Sequence, residues 1–260
     1  MASDDPDKYL GLSDDDAPQG GDASWFRDLR NATRVLTGWN LGARGDIDPA
    51  DIAQSRRAFV LVGLGLGIAA ALVSWIVDGL GLYVFGAAVF AAVTVTSLTN
   101  AQAEGGLAAA GADMTGAEAG SDRRAAQIAG AVLAILLVRV AALTALAPLS
   151  TMLAAFVAAL VLSTSAMALA SLAGRASDDE PLFSDHGSGQ LWVSGLAAIL
   201  LAIVFIGFWT ALLAALVSLV VGALIWVGAD LFGMKRDRNL LYAIRIKTEL
   251  AVIITVVAVT

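Results

Sequence analysis

Along this chain the polar positions fall in clusters, and between them stand long uninterrupted apolar runs. Residues 58–77, 82–98, 128–147, 151–172, 191–208 and 211–231 are each close to the ~20-residue length that crosses a hydrocarbon core. A seventh run, over 240–260, carries Arg245, Lys247 and Glu249 in its first half and is cleanly apolar only over 250–259. The pattern predicts six spanning helices, and for the last run a short, re-entrant or amphipathic helix that dips into the core. The expected class is an all-α polytopic membrane bundle.

The turns give an orientation. Asp78-Gly79-Leu80-Gly81, Pro148-Leu149-Ser150 and the stretch from Gly207 to Thr210 contain no Lys or Arg. The other connections hold Arg123 and Arg124, then Arg175, then Lys235, Arg236 and Arg238, and the segment before the first run holds Arg44, Arg56 and Arg57. Basic loops stay on the cytoplasmic side, so a multi-pass cell-membrane protein with a cytoplasmic N-terminus is expected. Upstream, residues 24–38 alternate as an amphipathic helix: Ser24 as N-cap, Phe26, Leu29 and Leu36 near one face, Arg27, Arg30 and Arg34 on another, Trp25 and Trp39 at the ends. It reads as a helix lying on the inner leaflet. Asp48-Pro49 reads as an N-cap and first-turn proline of a helix entering the first span. The organisation expected is an acidic disordered tail over 1–22, an amphipathic helix and link over 23–56, and a membrane domain over 57–260.

Composition sharpens this. Of 260 residues 58% are apolar and 15% charged, against about 25% charged in soluble domains, which argues against a soluble enzyme. Nearly all of the net charge of −7 sits in the tail, where Asp4, Asp5, Asp7, Asp14, Asp15, Asp16 and Asp22 face Lys8 alone. Such a tail neither orders itself nor binds nucleic acid. Its Asp richness, with scarce Lys, points to a salt-loving microbe. No cysteine is present, which excludes disulfides and thiolate sites, and the single histidine, His186, excludes any site needing two. No stretch reads as a secretory signal.

Within the spans, Gly63 and Gly67 form a small-xxx-small face, suited to packing inside the bundle more than to homodimerisation. Arg139 falls near the middle of the third span, where a charge must face protein, water or a carboxylate. By depth Glu249 is its candidate partner, with Asp230 nearer the inner surface and Asp78 on the far side. The pair is either architectural or part of a substrate-anion contact. The connection over 100–126 holds Glu104, Asp113, Glu118, Asp122, Arg123 and Arg124, and Glu104 opens a Gly-Gly stretch at the mouth of span two. Acids at a membrane surface can hold Mg²⁺ for a phosphate substrate, although a solvated loop has the same composition. The connection over 174–189, with Asp178, Asp179, Glu180, Asp185 and His186, reads as solvated.

Several stretches together resemble the cobalamin synthases, the membrane adenosylcobinamide-GDP ribazoletransferases. Phe26-Arg-Asp-Leu-Arg-Asn-Ala-Thr-Arg-Val-Leu-Thr37 is similar to their amphipathic opening, and Phe59-Val60-Leu61-Val62-Gly63 to the Phe-Pro-Leu-Val-Gly form that follows. Ile135-Leu136-Leu137-Val138-Arg139-Val140 resembles a family helix with a basic residue at that place. Leu162-Ser163-Thr164-Ser165-Ala166-Met167 and Thr248-Glu249-Leu250-Ala251 resemble later helices, and Asp237 falls where the family has an acid. Order and spacing agree along most of residues 25–260. The family's metal signature, of the form His-Leu-Asp-Gly-Leu-Ala-Asp-Thr-x-Asp-Gly, is largely lost: the region reads Gln102-Ala103-Glu104-Gly105-Gly106-Leu107-Ala108-Ala109-Ala110-Gly111-Ala112-Asp113. Glu104 stands for the first acid, the middle acid is Ala, and Asp113 replaces the last only with a shift. The Ser-Arg-x-Gly-Thr-x-Gly run is missing as well.

The resemblance implies a transfer that joins α-ribazole to a GDP-activated corrinoid and releases GMP. In an active relative Glu104 and Asp113 would hold Mg²⁺, Arg123 and Arg124 would take phosphate, and Arg139 or Asp237 would orient substrate. The depleted signature favours a relative with degenerate or altered chemistry that binds or assembles beside a membrane-protein partner. A small transporter or an unrelated structural bundle is the remaining alternative.

Overall fold

The computed structural model describes residues 21–39, 49–115, 120–173, 182–183, 188–231 and 237–260, and every element among them is helical. The acidic tail up to residue 20, Arg44, Asp48, Glu118, Arg175, Asp178, Asp179, Glu180, Asp185, His186, Lys235 and Arg236 lie outside the described residues.

The chain is an all-α multi-pass membrane bundle. Helix α1 is Gly21–Thr37 and α2 is Pro49–Ser55; a single 3₁₀ turn, Arg56–Ala58, carries α2 into α3, Phe59–Gly79. Then come α4 (Tyr83–Leu98), α5 (Gln102–Met114), α6 (Asp122–Thr144), α7 (Leu149–Ala170), α8 (Ser188–Ile206), α9 (Phe208–Leu231) and α10 (Arg238–Val259). Among the described residues five helices are long and apolar enough to cross a membrane: Ala50–Gly79, Asp122–Thr144, Leu149–Ala170, Gly189–Ile206 and Phe208–Leu231. The outward faces of α8 and α9 present Trp192, Leu196, Leu200, Leu216 and Leu224 without cover. An apolar exterior of this extent matches lipid rather than water.

The second expected span differs. Helix α4 is only 16 residues long, and α5 leaves it at 81°, so the two form one bent pair. Part of the connection read as a loop over 100–126 is therefore the helix α5. The bend is made by Asn100 and Ala101, both in the left-handed region at φ 50° and 54°. Asn tolerates that conformation more readily than Ala. Asn100 is held there as its Nδ2 donates to the carbonyl oxygen of Thr37, 2.8 Å away at the end of α1. The last run is one continuous helix, α10, buried on nearly every side through its charged first half.

Helix α7 is the central post, buried from Ala155 to Ala168. Helix α3 lies directly on it. A Cβ added at Gly63 would stand 2.3 Å from Thr164 Oγ1 and 2.8 Å from the Leu160 carbonyl oxygen, and one at Gly67 would stand 3.0 Å from Val157 Cα. Gly65, between them, faces open space. The small-xxx-small face is thus used inside the chain. Helix α4 packs on α3; its Ala87, Ala88, Ala91 and Ala92 are fully buried, and Ser74 Oγ donates to the Ala87 carbonyl oxygen at 3.0 Å.

Of the apolar face expected for α1, Leu36 is buried and Leu29 packs half-buried against the core, whereas Phe26 is exposed. Asp28, Asn31, Ala32 and Val35 are buried as well, and Trp25 is exposed. Asp28 turns inward to the Arg57 guanidinium. Trp25 lies over that same guanidinium at 4.7 Å.

Overpacking a close helix crossing costs about 1–3 kcal/mol. Gly63→Ala is expected to destabilise by that amount, whereas Gly65→Ala should leave thermal unfolding in detergent unchanged. Equal melting of the two variants would contradict the α3–α7 contact.

Candidate functional site

Four charged side chains meet inside the bundle: Glu104 from α5, Arg139 from α6, and Arg245 and Glu249 from α10. None is more than 1% exposed. Arg139 Nη1 donates to Glu104 Oε1 at 2.7 Å and to Thr96 Oγ1, on α4, at 3.1 Å. The Thr96 hydroxyl in turn donates to Glu104 Oε1 at 2.9 Å. On the other side Arg139 Nε stands 2.7 Å from Glu249 Oε1. That N–H is turned off the line to the oxygen, so the contact is one of charge without an aligned hydrogen bond.

Local sequence explains how each group arrives. Helix α6 buries only Ile135, Arg139 and Leu143, a stripe with four-residue spacing. Arg139 is the middle residue of this buried stripe, beside which Val140 and Ala142 pack half-buried against the core. On α10, Arg245 and Glu249 are one turn apart on one face, and Tyr242 sits a turn before Arg245. The Tyr242 hydroxyl lies 2.8 Å from the Val35 carbonyl oxygen and 2.9 Å from Gln102 Oε1. It ties α10 to the end of α1 and the start of α5. The bend after α4 turns Glu104 back into the bundle.

The other residues singled out from sequence stand elsewhere. Asp113 is in the last turn of α5, nine residues and about 13 Å of helix rise beyond Glu104. Arg123 is exposed and Arg124 half-buried in the first turn of α6. They are about 24 Å along that helix from Arg139. Asp237 caps α10, accepting from the Leu240 N–H at 3.1 Å. Asp78 and Asp230 lie outside the charged cluster, and the structure brings Arg139 together with Glu104 and Glu249.

Sequence reasoning did not single out Thr96 or Arg245. The signal for Arg245 was present: an Arg four residues before Glu249 in an apolar helix. It also passed over Arg56, which is fully buried. Its Nη1 donates to Ser171 Oγ and to the Leu182 carbonyl oxygen, both at 2.8 Å.

Chemically the cluster balances two guanidinium groups against two carboxylates. Mg²⁺ prefers oxygen donors and their negative charge. Glu104 is instead neutralised by Arg139, and this cation repels a divalent metal. Among the described residues no three His, Asp or Glu side chains gather to hold one. The residues around Glu104 do not fit a Mg²⁺ centre. No known family model, curated protein or solved structure matches this chain.

Removing one partner of a buried ion pair costs about 3–5 kcal/mol, because the other charge is left unpaired. Arg139→Met is expected to destabilise the bundle by that much. Adding Glu104→Gln and Glu249→Gln to Arg139→Met should restore most of the loss, as read by denaturant unfolding in mixed micelles. A triple variant no more stable than Arg139→Met would show that the charges are not coupled.

Proposed function

We propose that this chain is a membrane-embedded relative of the cobalamin synthases in which metal-dependent transfer has given way to a binding or assembly role. The environment of Glu104 carries this reading. By resemblance it stands where the first metal acid belongs, yet its Oε1 is occupied by Arg139 and Thr96. Displacing GMP from an activated corrinoid needs charge neutralised on the leaving phosphate, the usual task of a divalent cation. Here the middle acid of the signature is Ala, Asp113 is displaced along α5, and the remaining acid serves a salt bridge. What such a scaffold retains is shape: a helical bundle able to hold a ligand or a neighbour without breaking a bond. Much of α6 is uncovered, including Leu133, Leu137 and Val138, which leaves a flank for lipid and for a second membrane protein. The bundle sits in the cell membrane with its N-terminus and the Arg123–Arg124 rim on the cytoplasmic side.

Purified protein supplied with GDP-activated corrinoid, α-ribazole and Mg²⁺ is expected to release no GMP above background. It is expected to retain the corrinoid in equilibrium dialysis or to co-purify with an intact synthase. Mg²⁺-dependent GMP release that Glu104→Ala abolishes would instead establish an active transferase. Neither release nor retention nor a synthase partner would end the family reading and leave a transporter or a structural bundle.

Orientation has its own test, made clean by the absence of cysteine. In intact cells an impermeant thiol reagent should label Leu80→Cys and spare Arg123→Cys. The reverse pattern would invert the assignment.

A further inference from the structure

We propose that the groove between α1, α3 and α8 holds one phospholipid, with its phosphate at Arg57 and an acyl chain along α8. The proposal rests on the membrane fold alone and not on the family reading above. The groove is polar at one end and apolar along the rest. Its mouth is made by Trp25, Arg57 and Gln190, and its walls by Val60 and Leu61 of α3 and Val193, Ala197 and Leu201 of α8. On α8 the lining positions recur every three or four residues, so they form one face of the helix. From Gln190 to Leu201 that face rises about 16 Å, close to half of the ~30 Å hydrocarbon core and so to the depth of one leaflet. Ser194 Oγ donates to the Arg57 carbonyl oxygen at 3.2 Å and ties α8 to the turn that carries the guanidinium.

Charge and size select the occupant. Asp28 pairs with Arg57 but is fully buried and does not line the groove. The carboxylate therefore anchors the guanidinium from behind, and the mouth presents the cation. Arg57 Nη1 donates to Oε1 of the exposed Gln190 at 3.0 Å. With five N–H donors a guanidinium can serve both of these partners and still donate to a phosphate oxygen. Trp25, stacked on the guanidinium and exposed, is the residue type that settles at headgroup level. The groove measures about 470 Å³. Spread along ~16 Å of α8, that is a cross-section of roughly 30 Å², whereas a helix ~10 Å across needs on the order of 80 Å². The slot is thus too narrow for a helix of a partner or of a second copy. A free anion would use the mouth and leave the apolar track below it unfilled. A phospholipid matches both ends, since it carries a phosphate and a slender chain that reaches the middle of the bilayer.

The test uses the full chain, extracted in mild detergent, freed of loosely bound lipid by gel filtration and weighed by native mass spectrometry. The unaltered protein should carry the added mass of one phospholipid. Ala197→Phe, which fills the acyl track and leaves Arg57 and Asp28 in place, should lose most of it. No bound phospholipid on the unaltered protein would overturn the proposal, as would equal retention by the variant. Should the variant fail to fold, the unaltered protein decides. After delipidation it is given a small excess of a phospholipid with a photoreactive group halfway along one acyl chain. Adducts concentrated between Val193 and Leu201 support the proposal, and adducts spread evenly over the outer helices overturn it. Thermal stabilisation by inorganic phosphate equal to that by phospholipid would mark a free-anion site, and a dimer mass in place of lipid would mark a second copy of the chain. Either result overturns the proposal too.

Discussion

A guanidinium inside hydrocarbon has to find carboxylates, and in this bundle that requirement organises three helices. Arg139 reaches Glu104 on one side and Glu249 on the other, both at 2.7 Å. In lipid there is no hydrophobic force to press apolar helices together, since lipid tails are as apolar as leucine. Helix α6, rich in Ala and Leu, gains little from touching protein rather than lipid. Its attachment depends on the one polar residue that lipid rejects. The Arg139 pairs therefore fix where α6 sits and, through Glu104, how far α5 folds back beneath α4.

The remaining contacts follow the second rule of membrane packing, close approach of small side chains. Gly63 and Gly67 let α3 rest on the backbone of α7, and α4, with Ala87, Ala88, Ala91 and Ala92 buried, packs against α3. Hydroxyls stay tied to their own helix or reach across it. Thr164 Oγ1 donates to the Leu160 carbonyl oxygen at 2.8 Å, whereas Ser74 also reaches α4. Dense packing among α3, α4 and α7 and polar anchoring at α5, α6 and α10 are two different solutions within one bundle. The second tolerates orphaned polar atoms that the first does not contain.

Most of the spans were legible in sequence because hydropathy alone decides which segments enter lipid. The hairpins were legible as well, through Gly79, Gly81 and Gly207 at the turns. The bend after α4 was not. The stretch from Gln102 to Ala112 is too short and too rich in glycine to announce a helix. It is helical because it lies against α10, a contact between residues some 140 positions apart that no local pattern reveals. Arg139 and Glu249 could be matched by depth in the bilayer. Glu104 was read as a candidate metal ligand in a surface loop, since reading it as the partner of Arg139 requires knowing that the chain folds back at Asn100 and Ala101.

That turn also sets the surroundings of Glu104. Its carboxylate already has Arg139 and Thr96 as partners, and Arg139 is held from its other side by Glu249. A divalent cation would have to displace a guanidinium that two carboxylates share, and the freed guanidinium would be left buried without its charge partner, at a cost of about 3–5 kcal/mol. An acid introduced in α5 would therefore not suffice to build a metal centre while Arg139 remains charged and Glu249 holds it in place.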